Sequence, residues 1–129
     1  MKDRTVAEWV ALDQPRRHIA FRFRQFLAEF QNERGSRVYA EKIQRMCEAN
    51  GRSLEVSYVE LHQEQPLLAL WVADAPTELL KIFDEVAAEL VKESFEFYSR
   101  ISSEIHVRIT NLPATEMIRD LRYVFNKVA

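Results

Sequence analysis

Four arginines, Arg16, Arg17, Arg22 and Arg24, are the residues in this chain best placed for binding chemistry. Arg17 and Arg24 stand seven positions apart, two helical turns, so one side of a helix carries both, with Phe21 interleaved. Guanidinium groups in such a row suit contacts to a phosphate backbone. The same pattern describes an ordinary solvated helix face whose arginines pair with acidic neighbours, and that reading is the commoner one.

Catalytic spacings are missing. The two glycines, Gly35 and Gly51, lie 16 residues apart, and neither precedes Lys-Ser or Lys-Thr, so no phosphate-cradling loop is expected. His18, His62 and His106 are scattered, with no His-Glu-x-x-His arrangement to hold a metal. Cys47 is the single cysteine, which excludes an internal disulfide and a cysteine-rich zinc site. It falls on an apolar stripe, where a small core residue is expected rather than a nucleophile. The carboxylates of Asp84, Glu85, Glu93 and Glu96 belong to an outward helix face, with no sign of a buried pair for acid–base work. No catalytic residue, no cofactor and no metal is expected, and a stand-alone enzyme is nearly excluded.

These side chains must be positioned by 129 residues, enough for one domain or for one domain and the first elements of another. A hydrophobic fraction of 47% supports a core without staples, and only 2 Gly and 4 Pro favour helices with short connections. The longest apolar stretch, residues 66–73, is far short of the roughly 20 residues of a spanning helix. The charged start Met1-Lys2-Asp3-Arg4 leads into no signal-type apolar segment, so a soluble intracellular chain is expected. A lone thiol suits a reducing compartment, cytosol or nucleus. Net charge is −2 but uneven: residues 1–52 hold 11 basic against 7 acidic side chains, residues 53–100 hold 3 against 10, and the remainder 4 against 3. That polarity could orient the domain toward charged neighbours, although solvated helix faces give the same pattern.

Periodicity supplies the elements. Val6, Trp9 and Val10 mark a short amphipathic segment that should fold back to cover Trp9. Asp13 as cap and Pro15 in the first turn open a helix over about residues 15–33, with Ile19, Phe23, Phe26, Leu27 and Phe30 on one stripe and Gly35 as a left-handed C-cap. A second helix over 37–49 should bury Tyr39, Ile43, Met46 and Cys47, ended by Asn50-Gly51. Leu54, Val56 and Tyr58 alternate with polar residues as a half-buried strand. A short polar helical turn over 59–65 precedes the apolar stretch 66–73, which should lie across the core. The longest helix is expected over 76–98, with Leu79, Leu80, Phe83, Val86, Ala87, Leu90 and Val91 inward. Ile105, Val107 and Ile109 form a second strand, ended by Asn111-Leu112-Pro113, and the two short strands should pair with each other. In the tail, Ile118, Leu121, Val124 and Phe125 should fold back or meet another copy of the chain. The expected fold class is mainly α, a helical bundle with two short β-strands. Phe23, Phe26, Phe30, Ile43, Met46, Leu79, Phe83, Val86 and Leu90 should form its core.

Several segments resemble the minichromosome maintenance family, the ring-forming subunits of the replicative DNA helicase. They are Arg22-Phe23-Arg24-Gln25-Phe26-Leu27-Ala28-Glu29-Phe30, Tyr39-x-x-x-Ile43-x-x-Met46 and Arg52-Ser53-Leu54-Glu55-Val56-Ser57-Tyr58. Further on, Ala75-Pro76-x-Glu78-Leu79-Leu80-x-Ile82-Phe83-Asp84-Glu85, Ile105-His106-Val107-Arg108-Ile109-x-x-Leu112-Pro113 and Leu121-Arg122 are similar in turn. Glu8-Trp9-Val10, Met46-Cys47-Glu48-x-Asn50 and the Ile105–Ile109 run narrow the likeness to one subunit class. The resemblance implies an N-terminal helical subdomain over residues 1–104. Residues 105–129 would then hold the first strand of, and lead-in to, an oligonucleotide-binding barrel. It also implies a nuclear protein of replication licensing. Its partners would be neighbouring subunits in a hetero-hexamer, initiation and loading factors, and DNA through the full ring; no membrane is implied. The family's DNA-contacting hairpins, zinc module and ATPase domain have no counterpart in these residues, so none of their site residues carries over. The alternative is a stand-alone DNA-contacting module that uses the Arg16–Arg24 face.

Overall fold

Thr5 caps the first helix, α1 (Val6–Val10), its hydroxyl accepting the Glu8 N–H at 3.1 Å. The fold is seen in a computed structural model that describes residues 5–94 and 104–111. Helix α2 (Asp13–Glu29) follows at once, with Pro15 in its first turn. Asp13 is its first helical residue rather than its cap; Leu12 holds the cap position without a side-chain bond. The helix also stops four residues earlier than the apolar period suggests. Asn32 is the reason. Its side-chain oxygen accepts the N–H groups of Arg34 and Ser36 at 2.9 and 3.1 Å, offering the backbone a turn in place of another helical turn. Gly35 is left-handed, φ +79°, but as a turn residue of this small loop, closed by a Gln31–Arg37 bridge, and not as a helix cap.

Helix α3 (Val38–Glu48) buries Tyr39, Ile43, Met46 and Cys47, the stripe that its spacing predicts. It ends in a Schellman motif. Asn50 takes the left-handed position at φ 56°, its N–H donating to the Cys47 carbonyl at 3.2 Å, and the Gly51 N–H reaches Met46 at 2.8 Å. A side chain at Gly51 would press on the Met46 side chain at 3.2 Å, which explains the glycine.

Strand β1 (Ser53–Ser57) is one residue shorter than expected. Tyr58 instead opens α4 (Tyr58–Glu64), because the Ser57 hydroxyl caps that helix by accepting the Glu60 N–H. Helices α5 (Pro66–Asp74) and α6 (Pro76–Ser94) follow, and β2 (His106–Thr110) closes the described fold. The expected continuation of α6 to residue 98 and the tail 114–129 lie outside the described residues.

Helix α2 meets α6 at a ring stack, Phe23 on Phe83, centroids 3.8 Å apart and 11° from parallel. Phe26, Phe30 and Tyr39 extend this layer into α3 with centroid spacings of 4.9–5.6 Å. Of the predicted core, all residues are buried except Leu90, which is only partly covered. Ile82 is buried as well, on the side of α6 where Val10 of α1 and the Ala11 that follows it stand beside it.

The two strands pair, and they pair parallel, Ser53 opposite His106 through Ser57 opposite Thr110. A parallel pair needs a long crossover, which α4, α5 and α6 provide. Its outer edges are capped by side chains. On the β1 edge, Tyr39 Oη accepts the Ser57 N–H at 3.0 Å, and Lys42 donates to the Glu55 carbonyl at 3.2 Å. On the β2 edge, the Val107 N–H donates to Asp84 Oδ1 at 2.7 Å.

Burial pushes the Asp84 carboxyl up from its ordinary range, against the opposing pull of the Val107 N–H and His106. With the folded pKa above the unfolded one, the titration of Asp84 favours folding at low pH and loses that contribution as pH rises through the folded value. Asp84→Ala orphans the Val107 N–H and should cost about 1 kcal/mol at neutral pH, the side chain being part-exposed. Asp84→Asn keeps an acceptor, should be nearly neutral, and should remove the pH trend. Urea melts of both variants across pH 4–8 check this; equal losses would contradict the hydrogen-bond account.

Candidate functional site

The four arginines do not form one face. Arg16 pairs with Glu85 and Arg24 with Glu93, so two of them bind across to α6. Arg17 pairs with Asp13 one turn back on α2, at 3.6 Å and largely in solvent. Arg22 turns to the other side, where Nε donates to His18 Nε2 at 2.7 Å and a terminal nitrogen to Gln65 Oε1 at 3.3 Å. The Arg24–Glu93 pair shifts both partners consistently, the guanidinium up and the carboxyl down, chiefly through their hydrogen bond. Charges already answered by carboxylates offer less to a phosphate backbone. The stand-alone DNA-contacting reading therefore gains no support from this arrangement. Phe21 stands outward at 58% exposure, interleaved as the sequence has it but without an aromatic partner among the described residues.

The other chemistry-bearing side chains are dispersed. His18 sits against Arg22, His62 against the Tyr58 ring, and His106 lies 3.8 Å from Asp84. Among the described residues, no three histidine, cysteine or acidic side chains converge as metal ligands. Cys47 is a buried free thiol, pushed up by burial and then by Glu48, so its thiolate is disfavoured. Two open grooves are found among the described residues. One, of about 330 Å³, runs between α1 and α6 over Val10, Ala11 and Ile82, with the Arg16–Glu85 pair on its rim. The other, about 350 Å³, is polar, with Gln25, Glu29, Glu64 and Gln65 around the edges of Phe26 and Phe30. Neither lining includes a histidine, cysteine, serine or threonine.

An apolar corner is the feature that pattern reading misses. Trp9 of α1 remains 37% exposed, its ring 5.1 Å from that of Trp71 on α5. The covering of Trp9 expected from the sequence is thus partial. Helix α5 buries Leu68, Ala69 and Val72, yet leaves Leu67 and Leu70 exposed at 47% and 53%. The stretch 66–73 lies across the core with one face only. A signal was present: an almost wholly apolar helix carries more apolar surface than a single core face can take. Asp74 ends α5 beside this corner, and its charge adds to the burial that pushes the Tyr58 phenol up.

Comparison with known proteins follows the same lines. Residues 20–111 match the family described as the MCM N-terminal domain. The "DNA replication licensing factor mcm2" of Schizosaccharomyces pombe is 46% identical over 122 residues, 95% of this chain and 15% of that protein. Its namesake in Drosophila melanogaster is 44% identical over 94% of the chain, and that of Arabidopsis thaliana 38% over 93%. The chain spans about 13–15% of the length of these relatives. The subunit class that Glu8-Trp9-Val10, Met46-Cys47-Glu48-x-Asn50 and Ile105–Ile109 resemble most is subunit two, in agreement with these names.

Proposed function

The chain belongs to the MCM N-terminal domain family, and on that premise we propose that it is the non-catalytic N-terminal interaction domain of a replicative DNA helicase subunit acting in replication licensing. The observation that carries this reading is likeness along nearly the whole chain, at 38–46% identity, to licensing factors of one subunit class. The full subunit would work in the nucleus, in a ring with other members of its family and with initiation and loading factors. ATP hydrolysis, zinc binding and most DNA contact would fall to other parts of it. Residues 1–104 act as the helical body, and residues 105–129 lead toward an oligonucleotide-binding barrel. The pinning of β2 to both β1 and α6 supports a firm junction between the two. No cofactor is assigned to the chain, and no helix among the described residues is long and apolar enough to cross a membrane.

A graft tests this. Placing residues 5–111 over the matching residues of fission-yeast mcm2, in cells without another copy, is expected to sustain DNA replication. A chimera that is expressed and stable yet fails to enter the ring with its neighbouring subunits would overturn the reading.

A further inference from the structure

Helix α5 presents Leu67, Leu70 and Trp71 at positions i, i+3 and i+4, one stripe of its surface, and Trp71 carries the stripe onto Trp9 of α1 through their ring contact. Three of the six large apolar side chains exposed among the described residues, Trp9, Leu67 and Leu70, thus gather at one corner. Scattered exposed leucines are ordinary; a contiguous set that includes two tryptophans marks an interaction surface.

The charges around it select the occupant. Between Tyr58 and Asp74 there is no lysine or arginine, whereas Glu60, Glu64 and Asp74 are present. The cation that reaches this margin from α2, Arg22, is bonded to His18 and Gln65, and the carboxylates outnumber it. Glu64 closes α4 just ahead of Leu67, Asp74 ends α5 one turn beyond Leu70, and Glu8 neighbours Trp9. Glu60 is engaged by the Tyr39 hydroxyl, but Glu64 and Asp74 have no cation partner among the described residues. A surface both apolar and acidic repels nucleic-acid phosphates and anionic lipid headgroups. A second copy docking about a two-fold axis would set carboxylate against carboxylate. What fits is an apolar face with cations at its margins.

We propose that the Trp9–Leu67–Leu70–Trp71 corner docks an amphipathic helix of another protein, whose apolar stripe covers the tryptophan pair and whose flanking lysines or arginines meet Glu64 and Asp74. The convex stripe of α5 packs a second helix as helices do in bundles, side chains of each filling the gaps of the other. This rests on the reading of the chain as an interaction domain and names the chemistry of one partner.

The protein reports on its own site, because Trp9 and Trp71 are its only tryptophans. The probes are two helical peptides of about 18 residues with the same leucine stripe, one flanked by lysines and one by glutamates. Titrating the 129-residue chain with the lysine-flanked peptide is expected to shift tryptophan emission to the blue and to saturate. The glutamate-flanked peptide should bind about tenfold more weakly or worse. Leu70→Ser should abolish the shift, and Asp74→Lys, which leaves the stripe intact, should weaken the lysine-flanked peptide about fivefold and lose its salt dependence. Equal affinity for the two peptides, or binding unchanged in Leu70→Ser, would overturn the proposal. So would a concentration-dependent dimer that Leu70→Ser dissolves, since a second copy would then own the corner. The yeast graft is read by ring entry and replication, so either experiment can fail while the other succeeds.

Discussion

Phe23→Ala is expected to destabilise the fold by about 3–5 kcal/mol, a large part of what a domain of this size possesses. Phe23 is completely buried, and its ring lies flat on Phe83, also completely buried, so truncation opens a void between two helices that neither can close alone. Phe26, 6.2 Å away, would lose a neighbour as well. Phe23→Leu refills most of the volume and should recover roughly half of the loss. Denaturant melts of the two variants check this. A Phe23→Ala protein whose transition overlays the parent would mean that α2 and α6 do not meet at this stack.

Tyr39→Phe should cost about 1–3 kcal/mol, although it removes a single oxygen. The ring is fully buried, and its hydroxyl is a junction of three elements. It stands on α3, accepts the Ser57 N–H at the end of β1, and donates to Glu60 on α4. Burial, then the Glu60 hydrogen bond, pushes the phenol above its ordinary range, so it stays a neutral donor throughout the physiological span. Phenylalanine fits the cavity but leaves a buried backbone N–H with nothing to bond, and returns Glu60 to water. Lys42, over the same ring at 5.1 Å, keeps its contact in the variant. Faster amide hydrogen exchange at Ser57, together with the lowered melting midpoint, is the expected signature; unchanged exchange there would contradict the role given to the hydroxyl.

Much of this fold is legible in the sequence because its stripes are local. Ile19, Phe23, Phe26 and Leu27 can be placed on one face by counting, and so can Tyr39, Ile43, Met46 and Cys47. The pairing of the strands followed from the need to satisfy backbone groups, and Leu54 with Val107 and Val56 with Ile109 form its inner face. Boundaries were less legible. The end of α2 depends on one asparagine side chain competing for backbone donors, and the end of β1 on whether Ser57 acts as a strand residue or a cap. The candidate site was least legible of all. Arg16 and Arg24 find their carboxylates 69 positions downstream, so no window of sequence shows the pairs. The exposure of Leu67 and Leu70 depends on which side of α5 the rest of the molecule covers, and that is a property of the assembled bundle.

The Schellman ending of α3 also bears on how the molecule ages. Asn50-Gly51 is the dipeptide in which an asparagine amide is lost most readily, because the glycine nitrogen can swing round and attack the side-chain carbonyl to close a five-membered imide. Here that nitrogen is not at liberty. Its proton is held by the Met46 carbonyl at 2.8 Å, and the left-handed turn at Asn50 fixes the peptide plane on which the attack would depend. The cap that ends the helix therefore shields the bond beside it, and each excursion to the unfolded chain exposes Asn50 to a lesion that cannot be undone by refolding.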